Sequence, residues 1–130
     1  MRAPLYVSVL LLGEFRQSVR FQIFRHSRDS TQGYARKTGL DALTKLQANL
    51  DVGALVVAPT EWSDVLARAE QISSQYTSNG GHRYLDILHV ATALHLGAIE
   101  FLTFDTNQRK LAAAAGLSAR PGTPASAPST

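Results

Sequence analysis

Apolar residues in this chain follow two patterns. Some form short unbroken runs, and others return every three or four positions along longer stretches. The first pattern predicts buried strands and the second amphipathic helices. Residues 5–12, from Leu5 to Leu12, form the first run, apolar and partly β-branched, and predict a strand covered on both faces. From Glu14 to about Arg25 the pattern becomes helical, with Phe15, Val19 and Ile23 recurring along one side. Residues 26–39 are polar, with Gly33 and Gly39, and predict a helix end, a loop and the approach to a second helix. Leu40, Leu43, Leu46 and Leu50 make a stripe on that helix.

A second strand is expected over residues 54–58, closed by Pro59, with Thr60 as N-cap of the helix that follows. In that helix Trp62, Val65, Leu66, Ala69 and Ile72 are expected to face inward. Residues 76–81 predict a loop. Residues 82–96, rich in Leu and Ala, predict the strongest helix, with Gly97 as its stop. Residues 99–104 predict a third strand ending at Asp105, and residues 108–115 a last helix before Gly116. Strands alternating with helices predict an α/β fold around a mostly parallel sheet. Residues 1–119 form the expected domain, and the Pro, Ser, Ala and Gly of residues 120–130 predict a disordered tail.

Composition narrows the classes. At 130 residues the chain suits one domain, and its 45% hydrophobic and 18% charged residues are those of an ordinary globular protein. With no cysteine, disulfides, thiolate metal sites and cysteine nucleophiles are excluded, which fits a reducing, cytoplasmic setting. Residues 5–12 are too short to span a bilayer, and Gly13-Glu14-Phe15-Arg16 stands where a signal peptide would need a small-residue cleavage site. A net charge of +3 permits a polyanionic partner without requiring one. The chain carries no glycine-rich phosphate loop, no Gly-x-Ser-x-Gly elbow and no lysine in a Walker context.

Three of the ten acidic residues stand out by position. Glu14 follows the first expected strand, Asp105 closes the third, and Asp86 lies near the start of the Leu/Ala helix. In an open parallel sheet the carboxyl ends of strands and the starts of the following helices share one edge. Three carboxylates there repel one another unless a cation neutralises them, and oxygen-only ligands suit Mg²⁺ or Mn²⁺. The plainer reading makes each acid a cap or a surface charge. His82, Asp86 and His89 have helical spacing for a transition metal, or else sit at the helix start and the core edge; the latter reading is preferred, with His95 exposed. Arg16, Arg20, Arg25 and Arg28 make the first helix basic, either to hold RNA phosphates, as a solvated surface or as a partner contact. Tyr34 and Tyr76 are base-stacking platforms or, more ordinarily, packing residues.

The strings His82-Arg-Tyr-Leu-Asp-Ile-Leu-His-Val-Ala-Thr-Ala-Leu-His-Leu-Gly97, Phe101-Leu-Thr-Phe-Asp105 and Gln108-Arg-Lys-Leu-Ala-Ala-Ala-Ala-Gly116 closely resemble the C-terminal half of PIN-domain ribonucleases. They are most similar to VapC-like toxins of type II toxin–antitoxin pairs. Leu11-Leu-Gly-Glu-Phe15 matches the family's second strand and acidic helix start. The resemblance implies a PIN-like three-layer sandwich and metal-dependent endonucleolytic cleavage of RNA. Glu14, Asp86 and Asp105 would take the second, third and fourth acidic positions, with Asp86 and Asp105 holding Mg²⁺ or Mn²⁺. It also implies a cognate antitoxin and a homodimer as partners, and no membrane.

The family opens with a strand bearing a first aspartate. Here the first aspartate of the chain is Asp29, so the expectation is a domain N-terminally incomplete. The rival expectation is a non-catalytic remnant that binds antitoxin or RNA. A receiver-like signalling domain ranks below both, because paired early acids and a late lysine are lacking.

Overall fold

The computed structural model describes residues 4–98, 100–102 and 106–120. Asp105, the last residues of the third expected strand and the 121–130 segment lie outside the described residues. In chain order the elements are β1 (Leu5–Val7), α1 (Val9–Arg28), α2 (Arg36–Asp51), β2 (Leu55–Val57) and α3 (Trp62–Ile72). A π-helical turn (Ser73–Thr77), a single turn α4 (Ser78–Gly80), α5 (Tyr84–His95), β3 (Glu100–Leu102), α6 (Thr106–Ala114) and β4 (Ser118–Arg120) follow. The chain divides into two compact units, Met1–Pro59 and Thr60–Thr130. The expected α/β class and parallel pairing hold. Among the described residues the strands form two two-stranded ladders, β1 with β2 and β3 with β4, both parallel.

In the N-terminal unit the ladder runs from Leu5↔Leu55 to Val7↔Val57 and is extended by Ala58 N–H donating to the Val7 carbonyl at 2.9 Å. The strand expected over residues 5–12 stops at Val7, and the helix expected from Glu14 begins at Val9. Ser8 is the cause. Its backbone is extended and its Oγ accepts from the Leu11 amide at 3.0 Å, which satisfies an otherwise orphaned donor of the first turn. The apolar residues after it then serve a helix, on which Leu12 and Val19 are buried and Ile23 is half-buried, while Phe15 is exposed.

The turn after α1 is tightly specified. Asp29 caps the helix, its amide donating to the Arg25 carbonyl at 2.9 Å. Gly33 adopts φ 61°, and any side chain there would run into the backbone carbonyl of Gln22. Gly39, expected at the approach to the second helix, lies inside α2 and is buried, where a side chain would strike Ile23 of α1. It marks the close approach of the two helices. On α2, Leu43, Leu46 and Leu50 are half-buried and Leu40 is exposed.

The C-terminal unit is built on α3, α5 and α6. Its core joins Val65, Ala69 and Ile72 to Ile87, Val90 and Ala91, and to Leu111, Ala112 and Leu117. The expected Thr60 cap is displaced: Glu61 occupies the N-cap, without a side-chain bond. The inward stripe of α3 is narrower than expected, for Trp62 and Leu66 are exposed at its start and to one side. The loop expected over residues 76–81 is instead largely helical. Tyr76 explains this, since its hydroxyl donates to the Ala114 carbonyl at 3.0 Å and its ring packs on the core. It is a packing residue, as is half-buried Tyr34 beside Gly39.

Gly97 ends α5 as expected, with φ 72° and the Ala98 amide bonded to the Ala93 carbonyl at 2.9 Å. Gly116 does the same for α6, at φ 103°, and the Leu117 amide bonds the Ala112 carbonyl at 2.9 Å. That closure delivers Leu117 to the core. The chain then enters β4, which pairs Glu100↔Ser118 to Leu102↔Arg120. Ser118-Ala-Arg120 carries too little apolar pattern to be read as a strand from sequence. Its pairing comes from α6, which returns the chain alongside β3.

Candidate carboxylate site

Asp86 sits in the first turn of α5, where the helix dipole favours an acid. Its neighbour Ile87 is fully buried in the core, which fixes the helix face, and the Asp86 side chain is left 26% exposed. The sequence reading placed it partly inside, and it is. Two side chains hold the carboxylate from different sides. Gln108 of α6 donates from Nε2 to Oδ1 at 3.4 Å, and Arg83 brings Nε to 3.8 Å of Oδ2. Arg83 is largely exposed, so that ion pair is screened and weak. Gln108 is the more specific contact, since it links Asp86 to the packed helix α6.

Beside this pair, His82 and Asn107 lie 3.3 Å apart through Nδ1 and Nδ2. Helix α5 starts at Tyr84 with Arg83 as N-cap, not at His82 as the pattern suggested. His82 therefore just precedes the helix, in keeping with the preferred reading of it at the helix start, and the alternative of one helix face shared by His82, Asp86 and His89 does not form. His89 is half-buried in α5, and His95 is half-buried rather than exposed. Sequence reasoning quoted Gln108 only within a motif, without a role, and did not name Asn107. Their place just after Asp105, on a helix that packs against α5, was the available signal.

Glu14 belongs to the N-terminal unit, half-buried in the second turn of α1. The expectation that it follows directly on a strand and opens a helix is corrected, because Ser8 starts the helix earlier. Among the described residues no group of three or more His, Cys, Asp or Glu gathers as a metal centre. Asp86 fits one position of such a centre, an oxygen donor open to solvent on one side. Asp105 lies outside the described residues.

The arginines of α1 separate into different environments. Arg25 is half-buried and bonds the side chains of Gln22 and Gln32, both at 3.3 Å, so it holds the turn after the helix. Arg16 is half-buried, and Arg20 is exposed. Arg20 and Arg36 frame a groove of about 340 Å³ between α1 and α2, with Ile23, Leu40 and Leu43 along it. On α6, Arg109 and Lys110 line a second open groove with Thr106, Ala113 and Ala119.

No helix among the described residues is long and apolar enough to cross a membrane. Neither a curated protein nor a solved structure matches the chain. The PIN domain family pattern, however, matches residues 1–114, running through both compact units and through Glu14, Asp86 and Asp105. By that match over most of its length, the chain belongs to the PIN domain family, whose activity is in general that of a nuclease.

Proposed function

We propose that this chain is a metal-dependent endoribonuclease of the toxin–antitoxin type. In this reading Asp86 and Asp105 hold Mg²⁺ or Mn²⁺, and Glu14 completes the ligand set directly or through water. The observation that carries the reading is the setting of Asp86: a partly exposed carboxylate in the first turn of α5, held by Gln108, within the family's match. Carboxylate oxygens in a chain without cysteine are the donor chemistry of hard divalent cations. When bound, such an ion activates a water and stabilises charge developing on the phosphodiester. Asp86 and its partners supply a fixed oxygen donor on a packed helix. Gln108 bonds Oδ1, and Oδ2 is met at 3.8 Å by the exposed Arg83, a screened contact that a divalent cation would displace.

The partners in this reading are RNA, a cognate antitoxin and a second copy of the chain, in the cytoplasm. The groove of Ile23, Leu40 and Leu43 between Arg20 and Arg36 suits an acidic, apolar antitoxin segment. The family's first acid has no counterpart among residues 1–28, which contain no aspartate. The protein to assay is therefore one that carries an additional N-terminal strand bearing that acid. Titration of this protein with Mn²⁺, followed by calorimetry, tests the metal site. Saturable binding that is weakened at least tenfold by Asp86→Asn is expected. Equal binding by both proteins would remove Asp86 from the metal site.

A further inference from the structure

The C-terminal half of α1 presents two large aromatic side chains to solvent. Phe21 and Phe24 are each about half exposed, at 52% and 49%. Their rings stack on each other, with centroids 6.1 Å apart and planes 25° from parallel. Arg28 lies over Phe24, its guanidinium carbon 5.2 Å from the ring centroid. The three residues follow at helical spacing, so they form one continuous ridge. Phenylalanine pairs in this much contact with water cost hydrophobic free energy that a partner would recover.

Charge selects the partner. Arg20, Arg25 and Arg28 lie within one turn of the rings along the helix, and the acid nearest them in sequence is Asp29. The Asp29 carboxylate is already engaged, accepting from the Thr31 hydroxyl at 2.7 Å and the Thr31 amide at 3.0 Å. A second copy of the chain docked face to face here would set these cations against themselves. A polyanion with flat apolar faces satisfies both halves of the surface. Single-stranded nucleic acid is such a ligand, because bases stack on aromatic rings and arginine while basic residues meet the phosphates.

We propose that Phe21, Phe24 and Arg28 form a base-stacking platform for single-stranded RNA, flanked by Arg20 for its phosphates. The platform rests on the nuclease reading for the choice of nucleic acid over an acidic protein. It does not require the carboxylate site to be active. Binding is contributed by ring–base contact and is therefore tolerant of sequence.

The test is fluorescence anisotropy of the 130-residue chain with a labelled 12-nucleotide RNA and with an abasic strand of equal length, both in EDTA. The chain is expected to prefer the base-bearing strand by roughly five- to 150-fold, the range for a single stacked base. Phe21→Ala/Phe24→Ala should abolish that preference, with a thermal transition as in the unmodified chain because both side chains are half exposed. Arg28→Lys should keep part of it, and Arg28→Ala less. Equal affinity for the two strands, equal preference in the double variant, or tighter binding of a glutamate-rich peptide than of RNA overturns the platform. Since the metal is chelated, these outcomes are separate from the nuclease reading, which fails instead if the protein carrying the additional N-terminal strand binds RNA and never cleaves it with Mg²⁺ present.

Discussion

At the scale of single residues, the turn after α1 shows most clearly how local chemistry sets structure. Hydrogen bonds from Thr31, chiefly from its hydroxyl and then from its amide, hold the Asp29 carboxyl below its usual value of 3.8. A lowered folded-state value means that the charged form is favoured by folding. The stabilisation is therefore present above about pH 4 and is lost as pH falls through the lower folded value. Thr31→Val should return the Asp29 midpoint towards 3.8 in an NMR titration, and an unchanged midpoint would reject the hydroxyl as the main cause. Gly33 is less forgiving. With φ 61° and the Gln22 carbonyl where a β-carbon would have to stand, Gly33→Ala should cost more than the roughly 1 kcal/mol expected for strain alone, read by chemical denaturation.

At the scale of elements, Ser8 divides one apolar run between two kinds of structure. Ser8→Ala removes the cap bond to Leu11 and should destabilise the N-terminal unit by about 1 kcal/mol, without abolishing the fold. The same position explains what was and was not legible in sequence. The existence of α1, α2, α3, α5 and α6 follows from hydrophobic period, and the ends of α5 and α6 from Gly97 and Gly116. Element boundaries failed where a single polar atom competed with the pattern, as at Ser8, or where a distant contact overrode it, as with Tyr76 on Ala114. Gly39 was placed just before α2 rather than inside it because glycine signals both a helix boundary and a close helix approach, and only the packing of Ile23 distinguishes them. The candidate site was legible as far as Asp86, whose apolar neighbours announced partial burial. Its partner Gln108 was not, because their contact joins residues on different helices.

At the scale of the molecule, the core of the C-terminal unit is what positions Asp86. Ile87, adjacent to it, is 1% exposed among residues of α3, α5 and α6. Ile87→Ala should cost about 2–5 kcal/mol in unfolding free energy, and it should lower any activity by loosening α5 rather than by removing chemistry. Leu85→Ala, on the exposed side of Asp86, should be nearly neutral in stability and separates the two effects. The family match extends across residues 1–114 and so covers both units, which makes nucleolysis a property to be sought in the whole chain rather than in one part.

The most direct measurement is cleavage of a labelled single-stranded RNA by the protein carrying an additional N-terminal strand with an acid, compared with its Asp86→Asn variant. Cleavage with Mg²⁺ or Mn²⁺, its loss in EDTA and a fall of about a hundredfold or more in the variant are predicted. Absence of metal-dependent cleavage, or equal cleavage by the Asp86→Asn protein, would contradict the account.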